Sequence, residues 1–209
     1  MSFEIVLNHT VGDCRLSVDF ASQVPRIAVT GPSGVGKTTL LNCIAGLITP
    51  ETGKIVIGGR VLFDSTERIS IRVEQRGAGY VFQDARLFNH LRVAANLAYG
   101  ERLRQAGHSG VDRERIIETL GIGSLLDRWP ASLSGGEIRR VAIARAVFAH
   151  PRFLLLDEPL SSLDQERAAE ILTMIEHLGT AIGIPMIYVS HQPEETARLT
   201  DTILQLAPR

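Results

Sequence analysis

The stretch that most constrains this chain is Gly31-Pro32-Ser33-Gly34-Val35-Gly36-Lys37-Thr38-Thr39. It follows a short apolar run, "RIAVT", and opens a run with helical spacing, "KTTLLNCIAGL". Two glycines bracketing four residues, then Lys and Thr, form the pattern of a phosphate-binding loop, and a strand before and a helix after is the setting it requires. Glycines let backbone N–H groups close on phosphate oxygens, and the helix start adds partial positive charge. Lys37 would reach the outer phosphates and the Thr38 hydroxyl would bind Mg²⁺. The expected ligand is therefore a nucleotide with Mg²⁺, bound by residues 31–39, with Lys37 also a candidate catalytic residue.

The remaining pattern suits an α/β layer fold around a parallel sheet. "FEIVLNH" and "RLSVDFA" alternate apolar and polar residues as half-buried strands do, and "GKIVIGGRVL" reads as a hairpin turning at Gly58-Gly59. "GYVFQ", "RFLLLDE" and "PMIYVSH" are short apolar runs suited to buried parallel strands, with "TILQL" as a late strand. Between Asp84 and His150 the pattern is mostly helical: "VAANLAYGERLRQ", "RERIIETLGI" and "EIRRVAIARAVFA". "AAEILTMIEHLG" is a further amphipathic helix. The expectation is one domain over 1–209 with a helical subdomain inserted at about 84–150.

Composition excludes several classes. A formal net charge of −1 offers no basic field to hold nucleic acid. Two cysteines, Cys14 and Cys43, imply no disulfide framework and suit a reducing cytosol. The start, "MSFEIVLNHT", has neither the basic region nor the apolar core of a secretory signal. No run approaches the roughly 18 apolar residues that span a bilayer, so any membrane role is expected to come through a partner.

Three polar strand ends are candidates for the rest of the site. Asp157, at the end of "FLLLD", is placed to hold Mg²⁺, and Glu158 next to it to polarise an attacking water. Adjacent acids at a strand end are also common as helix caps, and only the upstream phosphate loop makes them half of a site. Gln83 ends "GYVFQ" and His191 ends "MIYVSH". Ligands of open α/β sheets bind beyond the carboxyl ends of the strands, which puts Gln83 in reach of metal and water and His191 in reach of a γ-phosphate.

A second glycine pair lies in "SLSGGEIRR". Ser134 and Glu137 fit a capping box, so one reading is simply a helix start. That reading leaves Gly135 and Gly136 unexplained, since each costs about 1 kcal/mol relative to Ala inside a helix. Bare backbone suits close approach of another group, and Ser134, Gly135, Gly136 and Glu137 then form a second phosphate receptor. Both receptors would serve one nucleotide, or they would face different copies of the chain.

The phosphate loop, Gln83, "LSGGE", "LLLDEP", "SSLD" (Ser161 to Asp164) and His191 occur in the order and spacing of the ABC ATPases. The chain resembles that family over nearly its whole length. The resemblance implies the P-loop NTPase fold of ABC ATPases, with N-terminal antiparallel strands flanking the core sheet. It also implies a homodimer on ATP binding, packed head to tail, with each ATP between the phosphate loop of one copy and the Ser134–Glu137 loop of the other. Under it Glu158 is the catalytic base, His191 the switch residue, and Asp164 part of the loop linking the two sites.

Within the family, "GRVLFDS", "VFQDARLF", "AANLAYG" and Glu137 resemble the ATPase subunits of molybdate importers. The implied function is ATP hydrolysis coupled to uptake of molybdate or a similar oxyanion. The implied setting is the cytoplasmic face of the inner membrane, on integral membrane permease subunits that receive solute from a binding protein. Two departures stand out. ABC ATPases place an aromatic residue near the first strands to stack on adenine, whereas the matching stretch here is Val11-Gly12-Asp13. Fuller molybdate ATPases continue into a C-terminal oxyanion-binding domain, and the eighteen residues after His191 are too few for one. Rival readings are a soluble ABC ATPase, as in DNA repair, translation or iron–sulfur assembly, and an interaction module without turnover. Neutral charge and a single cassette without a coiled coil weigh against the first two. The intact Lys37, Asp157, Glu158 and His191 weigh against the last.

Overall fold

The computed structural model describes residues 2–12, 14–102 and 112–207. Strands β1 (Phe3–Val11), β2 (Cys14–Ser22) and β3 (Arg26–Thr30) lead into helix α1 (Lys37–Ala45). Next come β4 (Thr52–Ile57), β5 (Arg60–Asp64), β6 (Ile69–Ser70), the single turn α2 (Val73–Arg76) and β7 (Ala78–Val81). Helices α3 (Val93–Arg102), α4 (Arg113–Thr119) and α5 (Gly135–Phe148) precede β8 (Phe153–Asp157) and α6 (Gln165–Ile182). The chain then runs through β9 (Met186–Val189), α7 (Pro193–Leu199) and β10 (Ile203–Gln205). The hairpin expected at Gly58-Gly59 joins β4 to β5. β6 and α2 were not expected, because two and four residues are too few to show a period.

Two compact units divide these elements: Met1–Ala78 with Pro185–Arg209, and Gly79–Ile184. The first holds an antiparallel sheet in the order β2-β1-β4-β5-β6. Along β1, Phe3, Ile5 and Leu7 are buried while Glu4 and Val6 face outward, which is the alternation a one-sided sheet imposes. The same unit holds β3 between β9 and β10, all parallel. Ile27, Ala28 and Val29 of β3 and all four residues of β9 are buried, so these strands read as continuous apolar runs. Burying each large aliphatic side chain contributes about 1.5–3 kcal/mol. Leu40, Leu41 and Ile44 bury one face of α1.

The second unit holds β8, buried at all five positions, next to β7 in its sheet. Helices α3, α4 and α5 fall within the stretch expected to be a helical insert. The end of the expected helix "VAANLAYGERLRQ", residues 103–105, lies outside the described residues. Asn96 of α3 is fully buried. Its amide donates to the carbonyls of Phe88, Leu91 and Arg92 and accepts from the Phe88 N–H at 2.8 Å, fastening the 88–92 loop to the helix. Among the described residues no helix is long and apolar enough to cross a membrane.

Candidate nucleotide site

In the first unit the 31–39 loop leaves the carboxyl end of β3. At Gly31 a Cβ would stand 2.6 Å from the Leu206 carbonyl oxygen, and Gly36 takes φ 101° as the N-cap of α1, so neither position accepts another residue without strain. Val35 is buried and anchors the loop, while Pro32, Ser33, Gly34 and Thr38 are exposed and Thr39 is half-buried. No side-chain hydrogen bond caps α1 and no acid stands in its first turn, which leaves that end suited to an anion. Lys37 is only 7% exposed, and its ammonium bends back to donate to the carbonyls of Gly31 and Pro32, each at 2.9 Å. His191 follows β9. Parallel pairing of Val29 with Val189, and the Ser190 N–H donating to the Val29 carbonyl, bring its loop to the same sheet end as the phosphate loop.

In the second unit Asp157 ends β8 at 3% exposure. The Tyr80 hydroxyl donates to its Oδ2 at 3.5 Å. Burial raises the Tyr80 phenol, and the Asp157 charge raises it further, so the hydroxyl keeps its proton and remains a donor. Glu158 is half-buried and takes φ 44°, a left-handed conformation in a residue other than glycine. Its carbonyl accepts from the Ser161 N–H at 3.1 Å and the Ser161 hydroxyl at 2.9 Å, a tight turn that holds the strained residue. The Gln83 amide, itself exposed, donates to Glu158 Oε2 at 3.5 Å. Gln83, Asp157 and Glu158, drawn from residues far apart in sequence, thus share one end of the β7–β8 pair.

The second glycine pair starts α5. Ser134 is the N-cap, and the full capping box forms: Oγ accepts from the Glu137 N–H at 3.3 Å, and Glu137 Oε2 accepts from the Ser134 N–H at 2.7 Å. Arg128 pairs with Glu137 Oε1 at 3.2 Å. The Ser134 backbone donor, aided by Arg128 and Arg140, holds the Glu137 carboxyl below its usual range. Its carboxylate is therefore already engaged at its own helix start. Gly135 and Gly136 have ordinary room for a Cβ, with nearest atoms at 3.4 and 3.8 Å. The fold itself does not demand glycine there; Ser134 and Gly135 are exposed, and Gly136 is buried.

Sequence reasoning missed the groups that hold these loops. Arg139 donates to the carbonyls of Phe82 at 3.4 Å and Ser161 at 3.5 Å, linking the Gln83 stretch to the "SSLD" turn. Arg145 donates to the carbonyls of Ala85 and Arg86, both in left-handed conformation. Arg139 and Arg145, six residues apart on a helix that also carries Glu137 and Arg140, were the available signal. Where a stacking aromatic is expected, Val11 is exposed and Gly12 takes φ 56°, while Asp13 lies outside the described residues.

A family model described as ABC transporter matches residues 16–161. The chain belongs to the ABC transporter family. This ABC chain is 50% identical over 207 residues to the molybdenum import ATP-binding protein ModC of Mesorhizobium japonicum, covering 99% of itself and 56% of that relative. ModC of Rhizobium meliloti is 48% identical, with 98% and 57% covered. The ABC chain thus spans about half the length of the curated relatives it matches. Among solved structures, a dimeric post-hydrolysis state of an ATP-binding cassette bound to ADP and Pi superposes with a TM-score of 0.77. It is 26% identical, with 99% of this chain and 94% of that one covered. The α/β fold of an ABC ATPase cassette follows.

Proposed function

We propose that this chain is the ATP-hydrolysing subunit of an ABC importer, and that its cargo is molybdate or a similar oxyanion. The observation that carries the hydrolytic reading is Glu158, held at φ 44° by the Ser161 turn with its carboxylate beside Gln83. A buried strand end that maintains a strained acid next to an amide suits a group that must orient water. Lys37 and residues 31–39 bind the phosphates, and His191 hydrogen-bonds the γ-phosphate. Hard oxygen donors suit Mg²⁺, and the set here is the Thr38 hydroxyl, the Gln83 amide oxygen and the Asp157 carboxylate. Bound Mg²⁺ would neutralise charge on the β- and γ-phosphates. Glu158 accepts the proton of the attacking water.

Two copies form a head-to-tail dimer on ATP, with Ser134, Gly135 and Gly136 of each meeting the ATP of the other. The exposure of Ser134 and Gly135 at the start of α5 supports that reading. Integral membrane permease subunits, fed by a solute-binding protein, hold the chain at the cytoplasmic face of the inner membrane. The oxyanion assignment rests on likeness to the ModC proteins, because cargo is not encoded in an ATPase site. Mg²⁺-dependent ATPase activity tests the chemistry. Co-purification with a membrane partner, then uptake of molybdate, tungstate and sulfate by the complex, tests the rest. Sulfate uptake without molybdate uptake would reassign the cargo.

A further inference from the structure

Glu195 is a buried carboxylate that the hydrolytic reading leaves without a role. It lies on α7 at 7% exposure. One oxygen, Oε2, accepts two short hydrogen bonds, from the Tyr188 hydroxyl at 2.7 Å and the Ser190 hydroxyl at 2.6 Å. Tyr188 and Ser190 are themselves 1% and 2% exposed. A carboxylate in such a place costs several kcal/mol unless hydrogen bonds compensate it, and these are of the short, charge-assisted kind.

An ionised carboxylate only accepts, so each hydroxyl facing it must donate. The direction of the Ser190 proton is thereby fixed, and an oxygen lone pair is left for another donor. The Gln192 N–H fills that role, donating to Ser190 Oγ at 3.0 Å. The turn closed by this bond, Ser190-His191-Gln192, has His191 at its centre. Tyr188, two residues back along β9, ties the same carboxylate to the strand.

We propose that Glu195 is a positioning residue for His191, acting through a clamp of Tyr188, Ser190 and the Gln192 N–H. The inference rests on the ATPase reading of His191 above. The clamp fixes the backbone on both sides of His191, so that the imidazole meets the γ-phosphate without first being ordered. Misplacing such a group by about 1 Å can cost about a hundredfold in rate.

The test is Ser190→Ala, which removes the bridging hydroxyl at little change in volume, in wild-type and His191→Ala backgrounds. In the wild-type background kcat should fall about tenfold or more, with ATP affinity within about twofold. In the His191→Ala background the same change should have no further effect, because the clamp acts only through the ring. Glu195→Gln, which keeps the shape and one acceptor, should fall between wild type and Ser190→Ala. Histidine-selective ¹⁵N NMR supplies a readout independent of turnover. The His191 resonance, found by its absence in His191→Ala, should shift in Ser190→Ala while the other histidines stay in place. Equal loss of kcat in both backgrounds, or an unmoved His191 resonance, would overturn the clamp. A wild-type chain that does not hydrolyse ATP would overturn the ATPase reading instead, and the NMR shift would still decide whether the clamp holds His191.

Discussion

At the scale of single residues, Glu158 joins strain to chemistry. Its left-handed φ of 44° stores about 1–3 kcal/mol that the Ser161 turn must offset. Replacing the carboxylate by an amide keeps the shape and removes the base. Glu158→Gln should lower kcat by about 100-fold or more while ATP affinity stays within a few-fold. Single-turnover hydrolysis beside equilibrium ATP binding measures both, and a wild-type rate would remove Glu158 from its role. Cys43 gives a second residue-scale prediction. Burial pushes its thiol from 9.0 up to about 11, against a smaller opposing effect of Arg76. Below pH 9 both folded and unfolded chains hold the proton, and the full stability is present. Between pH 9 and 11 only the unfolded chain ionises, so folding loses stability, by about 2–3 kcal/mol at most. Urea unfolding of Cys43→Ala against wild type should show a shallower fall across that window.

At the scale of elements, α1 is built to be held from behind. Its front must stay open for phosphate, so its rigidity comes from the other end. Arg76, 1% exposed, donates to the carbonyls of Cys43 and Ile44 at 2.8 and 2.9 Å, and to that of Ile71 at 2.8 Å. The guanidinium satisfies last-turn carbonyls and complements the negative end of the helix. Arg76→Met should destabilise the fold by about 2–4 kcal/mol, because the carbonyls of Cys43, Ile44 and Ile71 each lose a donor, two of them in buried bonds. Chemical denaturation measures it, and a loss under about 0.5 kcal/mol would mean that water replaces the side chain. Little of this element's support was legible in the sequence. Its start was, because a glycine, lysine and threonine at fixed spacing are local. Arg76 acts across 33 positions and Arg139 across 57, and nothing in an isolated arginine says which carbonyl it will find. The same limit hid Tyr80 beneath Asp157, 77 positions away. The capping box at Ser134 was legible, being confined to four residues, but the room beside Gly135 and Gly136 depends on Leu163, Arg167 and Ile171 of another segment.

At the scale of the whole molecule, the motifs fall in different units, with the phosphate loop and His191 in one, and Gln83, Ser134–Glu137 and Glu158 in the other. If the Ser134 loop serves a second copy, binding and turnover must separate. Ser134→Arg should keep ATP affinity in the isolated chain and lose turnover, since a long side chain replaces the hydroxyl meant for the neighbour's phosphate. Combined with Glu158→Gln it should also abolish the ATP-induced dimer seen by gel filtration with Glu158→Gln alone. Equal loss of ATP affinity would mean that both glycine loops serve one site. The position of β3 has a further consequence, for the time course of synthesis. Its neighbours are β9 and β10, Gly31 packs against Leu206, and the Thr200 hydroxyl closes on the Arg26 carbonyl across 174 positions. A ribosome adding about 5–20 residues per second needs on the order of ten to thirty seconds to travel from the phosphate loop to those partners. Throughout that interval the loop is a glycine-rich tether without its sheet, so the nascent chain gains its grip on ATP only once β9 and β10 have been made.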